Sequence, residues 1–191
     1  MKLITALSFT LLFGFILTPS QNAQELARPN VSVKPHSMMQ KLTALQGRWR
    51  VTTETTNDGG ENWQTNPAYE VVVHLRHKGM LMAEVPINPG NDGFHMETYI
   101  SYDQYRNVFR KAAIDDVWGV MDLYEGNFED NKLVFTNLKS GTFFPVGEKK
   151  WRAFRLQLTL TSPVREMLIE ASDDAGIHWQ PAFKVNYQKI D

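Results

Sequence analysis

The 191-residue chain contains no cysteine. This absence excludes disulfide bonds, thiolate metal sites and a lipid-attachment thiol, so stability has to come from the core. The chain also lacks an excess of charge of either sign, because 20 lysine and arginine residues balance 21 aspartate and glutamate residues. The densest basic stretch is only the pair Lys149-Lys150 with Arg152 and Arg155 following. Nucleic acid and anionic membranes are therefore not expected as main partners.

Familiar catalytic and cofactor motifs are missing as well. There is no Gly-x-Ser-x-Gly, phosphate loop or His-Glu-x-x-His stretch. His74 and His77 are three residues apart, which places them on opposite faces of a strand and argues against a zinc site. His178 lies in a turn beside Trp179, which argues against a haem ligand. We expect no metal and no cofactor, and the sequence favours a non-enzymatic function without excluding an enzyme.

The sequence has one long apolar run, and it lies at the beginning. Lys2 precedes the run from Leu3 to Leu17, and a polar stretch ending at Ala23 follows. This is the layout of a secretory signal peptide, and the run is shorter than the roughly 20 residues of a membrane span. We predict cleavage after Ala23, with Ser20 as the alternative. The mature chain is then periplasmic or secreted and contains no integral membrane segment.

The mature chain divides into a lead-in and one domain. Residues 24–36 are polar and contain two prolines, which predicts a flexible segment. Ser37 to Gln40 has the form of a capping box, and Met38, Leu42 and Leu45 recur at helical spacing. We expect one short helix, closing one end of a domain that spans residues 37–191.

From Arg48 onward the apolar period is two, which is typical of strands exposed on one face. Turn signals rich in Gly, Pro, Asn and Asp separate the segments. The sequence predicts an all-β fold, a single antiparallel barrel of about ten strands, since closure removes every edge. The expected strands begin near Trp49 and Trp63 and then cover residues 80–85, 94–102, 108–114, 117–124, 132–137, 149–160, 165–171 and 179–187.

Two eight-residue stretches, Thr56–Trp63 and Ser172–Trp179, share one pattern. Each combines a hydroxyl residue, an Asp, a Gly and a Trp, which predicts hairpin turns built alike. The pattern resembles the Asp-box of sialidases and other propellers, where it is a structural turn away from the active site. Two copies cannot supply the blades of a propeller, so no glycosidase follows.

Gly47-Arg48-Trp49, just after the predicted helix, resembles the Gly-x-Trp signature of lipocalins and their calycin relatives. In those barrels the Trp closes one end and packs against a basic residue from a late strand. The resemblance implies that Trp49 and Arg152 are partners. Arg152 precedes an alternating strand in which Phe154, Leu156 and Leu158 are expected to face inward.

A second resemblance covers the middle of the chain. The stretch Tyr99–Phe109, followed by Ile114-Asp115-Asp116 and Tyr124–Phe128, is similar to a calycin-like family of bacterial proteins of unknown function. The family pattern has a Gly where this chain has Ser101, and a Trp-containing strand where it has Ala113-Ile114-Asp115. The family has no assigned activity to transfer.

These features predict an exported barrel that binds a small hydrophobic or amphipathic molecule. The alternatives are an enzyme that uses His95, Glu97, Tyr99 or Arg152 in the same cavity, and a structural or protein-binding barrel with a filled core. The residues expected at the ligand are Trp49, Tyr69, Tyr99, Trp118, Tyr124, Arg152, Phe154 and Tyr187. Glu84 and Glu97 are expected in solvent, because the rows opposite them are more apolar. The inward face of residues 94–102, the ligand and the oligomeric state stay open.

Overall fold

A computed structural model describes residues 33–87, 94–160 and 164–190. The predicted signal peptide and most of the predicted lead-in lie outside these residues. Within them, no helix is long and apolar enough to cross a membrane. The elements are α1 (Val33–Gln40), β1 (Gly47–Thr55), β2 (Gln64–Thr65), β3 (Tyr69–Arg76), β4 (Leu81–Pro86), β5 (Met96–Asp103), β6 (Val108–Asp115), β7 (Met121–Glu129), β8 (Lys132–Thr136), β9 (Phe144–Gly147), β10 (Lys150–Thr159), β11 (Val164–Ser172) and β12 (Gln180–Lys189).

Ten of these strands form a closed antiparallel barrel, which confirms the predicted fold class. Around the ring the order is β1, β3, β4, β5, β6, β7, β8, β10, β11, β12 and back to β1. The two short strands lie outside the ring, with β2 paired to β1 and β9 paired to β10. Neighbouring strands in the ring are consecutive in sequence almost throughout. Because successive side chains of a strand point to opposite faces of the sheet, every second side chain of each strand faces the lumen.

The helix differs from its predicted bounds. It begins at Val33 and includes Pro35, which the first turn tolerates because its N–H groups have no helical acceptor. Ser37 lies inside the helix and its hydroxyl donates to the Lys34 carbonyl (2.9 Å), so the predicted capping box is wrong. A separate 3-10 turn at Thr43–Leu45 follows α1.

The helix and the 3-10 turn close one end of the barrel, called here the helix end. Met39, Leu42 and Leu45 are buried and join the main core cluster. Lys41 Nζ lies 5.1 Å from the centroid of the Phe128 ring, at the end of β7. The opposite end, where β1 finishes at Thr55 and β12 begins, is called the far end.

The inward side chains are buried to different extents. Trp49, Phe109 and Leu133 are at most 2% exposed. Several inward side chains that pack against the same core cluster are only partly buried, among them Leu75 and Tyr102 nearer the helix end. Towards the far end the partly buried side chains include Tyr69, Met96, Phe154 and Ile169, and we call the part of the lumen that these four line its accessible half.

The twin hairpins between β1 and β2 and between β11 and β12 have the same hydrogen bonds. In each, a hydroxyl accepts from a backbone N–H four residues on, and so does an Asp carboxylate. The four bonds are Gly60 N–H to Thr56 Oγ1 (3.1 Å), Asn62 N–H to Asp58 Oδ1 (3.0 Å), Gly176 N–H to Ser172 Oγ (2.8 Å) and His178 N–H to Asp174 Oδ1 (2.9 Å). Both hairpins are therefore structural turns, as the sequence predicts.

Candidate functional site in the barrel lumen

The inward row of β4 carries a charge. Met82 and Glu84 face the lumen and are 1% and 5% exposed, and Glu84 lies beside Val73 of β3 and Thr98 of β5. The expectation that the row of Leu81, Ala83 and Val85 faces the lumen, with Glu84 in solvent, is wrong, although Ala83 is also fully buried. The reason is a partner for Glu84 across the lumen, on a strand distant in sequence.

That partner is Arg165 of β11. Arg165 Nη2 donates to Glu84 Oε2 (2.5 Å), and the Tyr187 hydroxyl donates to Glu84 Oε1 (3.1 Å). The guanidinium carbon lies 3.6 Å from the centroid of the Tyr187 ring and 5.8 Å from that of Trp49. One guanidinium therefore joins an ion pair to two aromatic rings inside the barrel.

The guanidinium is not fully satisfied. Arg165 Nε and Nη1 are buried and have no hydrogen-bond partner among the described residues. A buried donor of a charged group without an acceptor costs several kcal/mol at most sites, and such exceptions point to a role. The two donors lie on different edges of the planar guanidinium, each beside Nη2, so each can donate to a separate acceptor oxygen.

A second cation lies in the same lumen. Lys111 of β6 is 5% exposed, between Ile100 of β5 and Tyr124 of β7 in the sheet, and it makes no hydrogen bond or ion pair with another described residue. Burial lowers the pKa of its ammonium to about 8, with Glu84 opposing the shift. A pKa of about 8 leaves Lys111 mainly protonated at neutral pH.

Phenol groups complete the polar part of the lumen. Burial raises the pKa of Tyr69 to about 12 and that of Tyr187 well above its usual value. The Tyr124 hydroxyl donates to Asp122 Oδ2 (3.1 Å), and burial also raises the pKa of Asp122. These phenols therefore stay protonated, and Tyr124 and Tyr187 use their single O–H groups to donate to carboxylates of the lumen.

Five of the eight residues predicted at the ligand face the lumen. Tyr124 and Tyr187 are buried there, and Tyr69 and Phe154 lie in its accessible half. Trp49 lies near the helix end, where its Nε1 donates to the Leu45 carbonyl (2.8 Å).

The other three lie elsewhere. Tyr99 faces outward and its hydroxyl donates to Glu97. Trp118 is 61% exposed in the β6–β7 connection, because Asp115 Oδ1 accepts from the backbone N–H of Val117 (2.9 Å) and of Trp118 itself (2.5 Å). These bonds make a turn where the sequence predicted the start of a strand.

Arg152 is not the partner of Trp49, which corrects the implied pairing. It lies at the far end and donates from Nε and Nη2 to the Asp173 carboxylate (2.7 and 2.9 Å). Trp49 lies towards the helix end, and the cations over its ring are Arg165 and Lys189, the latter 5.7 Å away.

The row proposed for acid–base chemistry also faces outward. His95 Nδ1 lies 2.8 Å from Asp116 Oδ2 at the far end, and Glu97 is bonded to Tyr99 on the outer surface. Since Met96 and Ile100 pack into the core, the inward face of β5 is the opposite row. The lumen therefore contains none of the three residues His95, Glu97 and Tyr99.

Sequence reasoning missed Glu84, Lys111 and Arg165 as lumen residues. A signal existed for two of them, because Lys111 alternates with Phe109 and Ala113, and Arg165 alternates with Met167 and Ile169. A cation at an inward position of a strand needs a compensating group, and that requirement could have identified both.

A separate cleft of about 390 Å³ lies between the twin hairpins on the outside of the far end. Its charged side chains are already bonded to each other, Arg152 to Asp173 and the His178 ring to Asp174 (2.6 Å). No group of three or more side chains suited to a metal ion occurs among residues 33–87, 94–160 and 164–190. The lumen is therefore the stronger candidate site.

The fold and the site together define a class of protein: a closed ten-stranded antiparallel barrel with a helix at one end and buried charges in its lumen. Within this class the chain belongs to the DUF1579 family, described as proteins of unknown function, whose model matches residues 33–189. No curated protein compared with the chain is significantly similar to it.

Proposed function

We propose that this barrel binds a small amphipathic molecule with one anionic group. The observation that carries the proposal is the Arg165 guanidinium, 3% exposed, whose Nε and Nη1 have no acceptor among the residues that the structure describes. An anionic group beside Nε or Nη1 would accept a charge-assisted hydrogen bond and reduce the cost of the unpaired donors.

The charge balance of the lumen supports an anion over a neutral ligand. Arg165 and Lys111 contribute two buried cations, and Glu84 is the carboxylate bonded to one of them. Asp122 also acts on Lys111 through its charge, but its carboxylate accepts from the Tyr124 hydroxyl and is not hydrogen-bonded to Lys111. An anionic group beside Lys111 would compensate an ammonium that no side chain of the described residues binds directly.

The rest of the ligand is apolar in this proposal. Met96, Phe154 and Ile169 line the accessible half of the lumen, between the charged residues and the far end. The anionic group would lie at Arg165 and the apolar part would extend towards the far end. The Tyr69 hydroxyl would donate a hydrogen bond to the anionic group or to a neighbouring oxygen, whereas Tyr187 keeps its bond to Glu84.

Two further parts of the proposal rest on the sequence. Gly47 and Trp49 open the first strand, and a basic residue from a late strand lies over the Trp ring, which supports a calycin-type barrel. The apolar N-terminal run supports export with cleavage after Ala23, so that binding takes place in the periplasm or outside the cell.

Calorimetric titration with two ligands of equal length tests the proposal. Dodecanoate carries the anion, and dodecanol replaces it by a neutral hydroxyl. We expect the wild-type protein to bind dodecanoate at least tenfold more tightly, a difference of about 1.4 kcal/mol. Lys111→Met should weaken binding of dodecanoate but not of dodecanol.

Lys184→Met is the matched control, because Lys184 Nζ lies 3.9 Å from the Trp63 ring on the outer face of the barrel. It should leave both affinities unchanged. Equal affinity of the wild-type protein for the two ligands, or no binding of either, would refute the anionic site.

A further inference from the structure

Large apolar side chains are exposed on one sector of the far end. Eleven such residues are at least 36% exposed among the described residues, and eight of them lie at the far end between β4 and β10. We call these eight the apolar rim: Phe94, Val117, Trp118, Val120, Met121, Leu123, Leu138 and Trp151. Of the others, Ile177 lies in the second twin hairpin, and Tyr105 and Ile190 lie at the helix end.

The centre of the apolar rim is an ordered aromatic cluster. The Trp118 ring lies 5.7 Å from Phe94 and 5.7 Å from Phe144, measured between centroids. Asp115 fixes the turn that presents Trp118, through its two backbone hydrogen bonds. The side chains are thus held in exposed positions, and clustered exposed apolar residues on a soluble domain mark an interaction surface.

From this arrangement we infer that the apolar rim docks onto the surface of a lipid bilayer. The eight residues come from several separate connections and strand ends that meet on one sector of the far end. Trp118 and Trp151 are 61% and 55% exposed, and indole rings partition into the interface between headgroups and hydrocarbon.

The structure favours a bilayer over a protein partner. The ten ring strands are paired on both sides, so a partner could add a strand only at the short β2 or β9. The net charge is −1, and the first twin hairpin lies between β1 and β2, away from the apolar rim, whereas Gly176 of the second twin hairpin lies beside Leu138 at the edge of the rim. Docking is therefore driven by apolar insertion and does not require anionic lipid.

Co-sedimentation with phosphatidylcholine vesicles tests this inference with the purified protein and no added ligand. The wild-type protein should bind, and its bound fraction should change little between 0.05 and 0.5 M salt, because the attraction is not ionic. The double variant Trp118→Ser/Trp151→Ser should lower the partition coefficient at least tenfold. Brominated lipids should quench the tryptophan fluorescence of the wild-type protein and quench that of the double variant much less.

The matched control is Tyr105→Ser/Ile190→Ser, which removes two exposed apolar residues at the helix end and should leave vesicle binding unchanged. Absence of binding by the wild-type protein, or equal loss in both double variants, would overturn the inference. A dimer in analytical ultracentrifugation that Trp118→Ser dissociates would also overturn it, because the rim would then be a contact between copies. Vesicle binding by a protein that binds no dodecanoate would refute the proposed function alone.

Discussion

The guanidinium of Arg165 and the carboxylate of Glu84, 81 positions apart in sequence, form an ion pair whose two side chains are only 4% and 7% exposed. Every other ion pair among the described residues leaves one side chain at least 32% exposed. Since exposed pairs contribute little to stability, this pair dominates the electrostatics of the barrel. It also connects β4 to β11 across the lumen.

Removing one member of this pair should destabilise the protein strongly. Glu84→Leu leaves the Arg165 charge buried without its partner, and we expect a loss of about 3–5 kcal/mol in the free energy of unfolding. The double variant Glu84→Leu/Arg165→Met should lose less than Glu84→Leu alone, because no unpaired charge remains. Urea denaturation of the wild type, both single variants and the double variant measures the coupling. Additive losses would show that the two charges are not coupled.

Lys111→Met should stabilise the protein without ligand. The native pKa of Lys111 is about 8, below the value of 10.5 for an unperturbed lysine, so burial of its charge opposes folding. The penalty is full below pH 8, on the order of 3 kcal/mol. Between pH 8 and 10.5 the unfolded chain binds a proton that the native protein does not, so wild-type stability rises with pH.

Thermal unfolding at pH 7 and pH 9.5 tests whether the stability of the wild-type protein rises with pH relative to that of the variant. The Tm of Lys111→Met should exceed that of the wild type at pH 7, and the gap should narrow at pH 9.5. The tyrosines titrate in both proteins, so their effect cancels in the difference. A gap that widened with pH, or a Lys111→Met variant less stable at pH 7, would contradict the assignment of Lys111 as an unpaired buried cation.

Substitutions in the twin hairpins should act alike. Backbone hydrogen bonds from Asn62 and His178 hold the pKa of Asp58 and of Asp174, respectively, well below the usual range. A lowered native pKa gives stability that is present above about pH 4 and is lost as the pH falls. Asp58→Ala and Asp174→Ala should therefore lower the Tm by similar amounts at pH 7 and by smaller amounts near pH 2.5.

An exposed carboxylate provides the control for both hairpins. Glu166→Ala on β11 should change the Tm little at either pH. If one hairpin variant were neutral at pH 7 while the other was destabilised, the two turns would not be equivalent in energy, despite their equal hydrogen bonds.

The helix end should depend on Leu42. This side chain is fully buried between the helix and the barrel core, and Leu42→Ala is expected to cost 2–5 kcal/mol, about the range for leucine truncation in a core. Ile190→Ala, at the same end but 42% exposed, should cost less than about 1 kcal/mol. Urea denaturation compares the two, and equal losses would mean that the helix is not a structural closure.

Local patterns in the sequence were sufficient for the barrel and its turns. The alternation from Phe154 to Leu158 and the repeated pattern ending at Trp63 and Trp179 determine strand faces and hairpins through interactions within a few residues. The closed ring followed from the number of strands and the need to avoid edges. The start of α1 was wrong, because Pro35 in a first helical turn was interpreted as a break.

The charged lumen could not be predicted in the same way. The row of Leu81, Ala83 and Val85 was expected to face the lumen because it is more apolar. Glu84 faces the lumen instead, because Arg165, on a strand distant in sequence, stabilises its carboxylate. No local pattern contains that pairing. Arg152 is two residues before Phe154, so alternation alone predicts that both side chains face inward. Arg152 instead lies in the part of β10 that pairs with β9, outside the ring of ten strands, and its guanidinium forms an ion pair with Asp173.

Native mass spectrometry of the protein purified without detergent, with an organic extract of the same sample, tests the central claim most directly. The account predicts a one-to-one adduct that the extract identifies as an anionic amphipathic molecule. After extraction and refolding, the protein should bind dodecanoate at the same stoichiometry. A bare polypeptide mass from several expression hosts, unchanged by added dodecanoate, would contradict a binding site at Arg165 and Lys111.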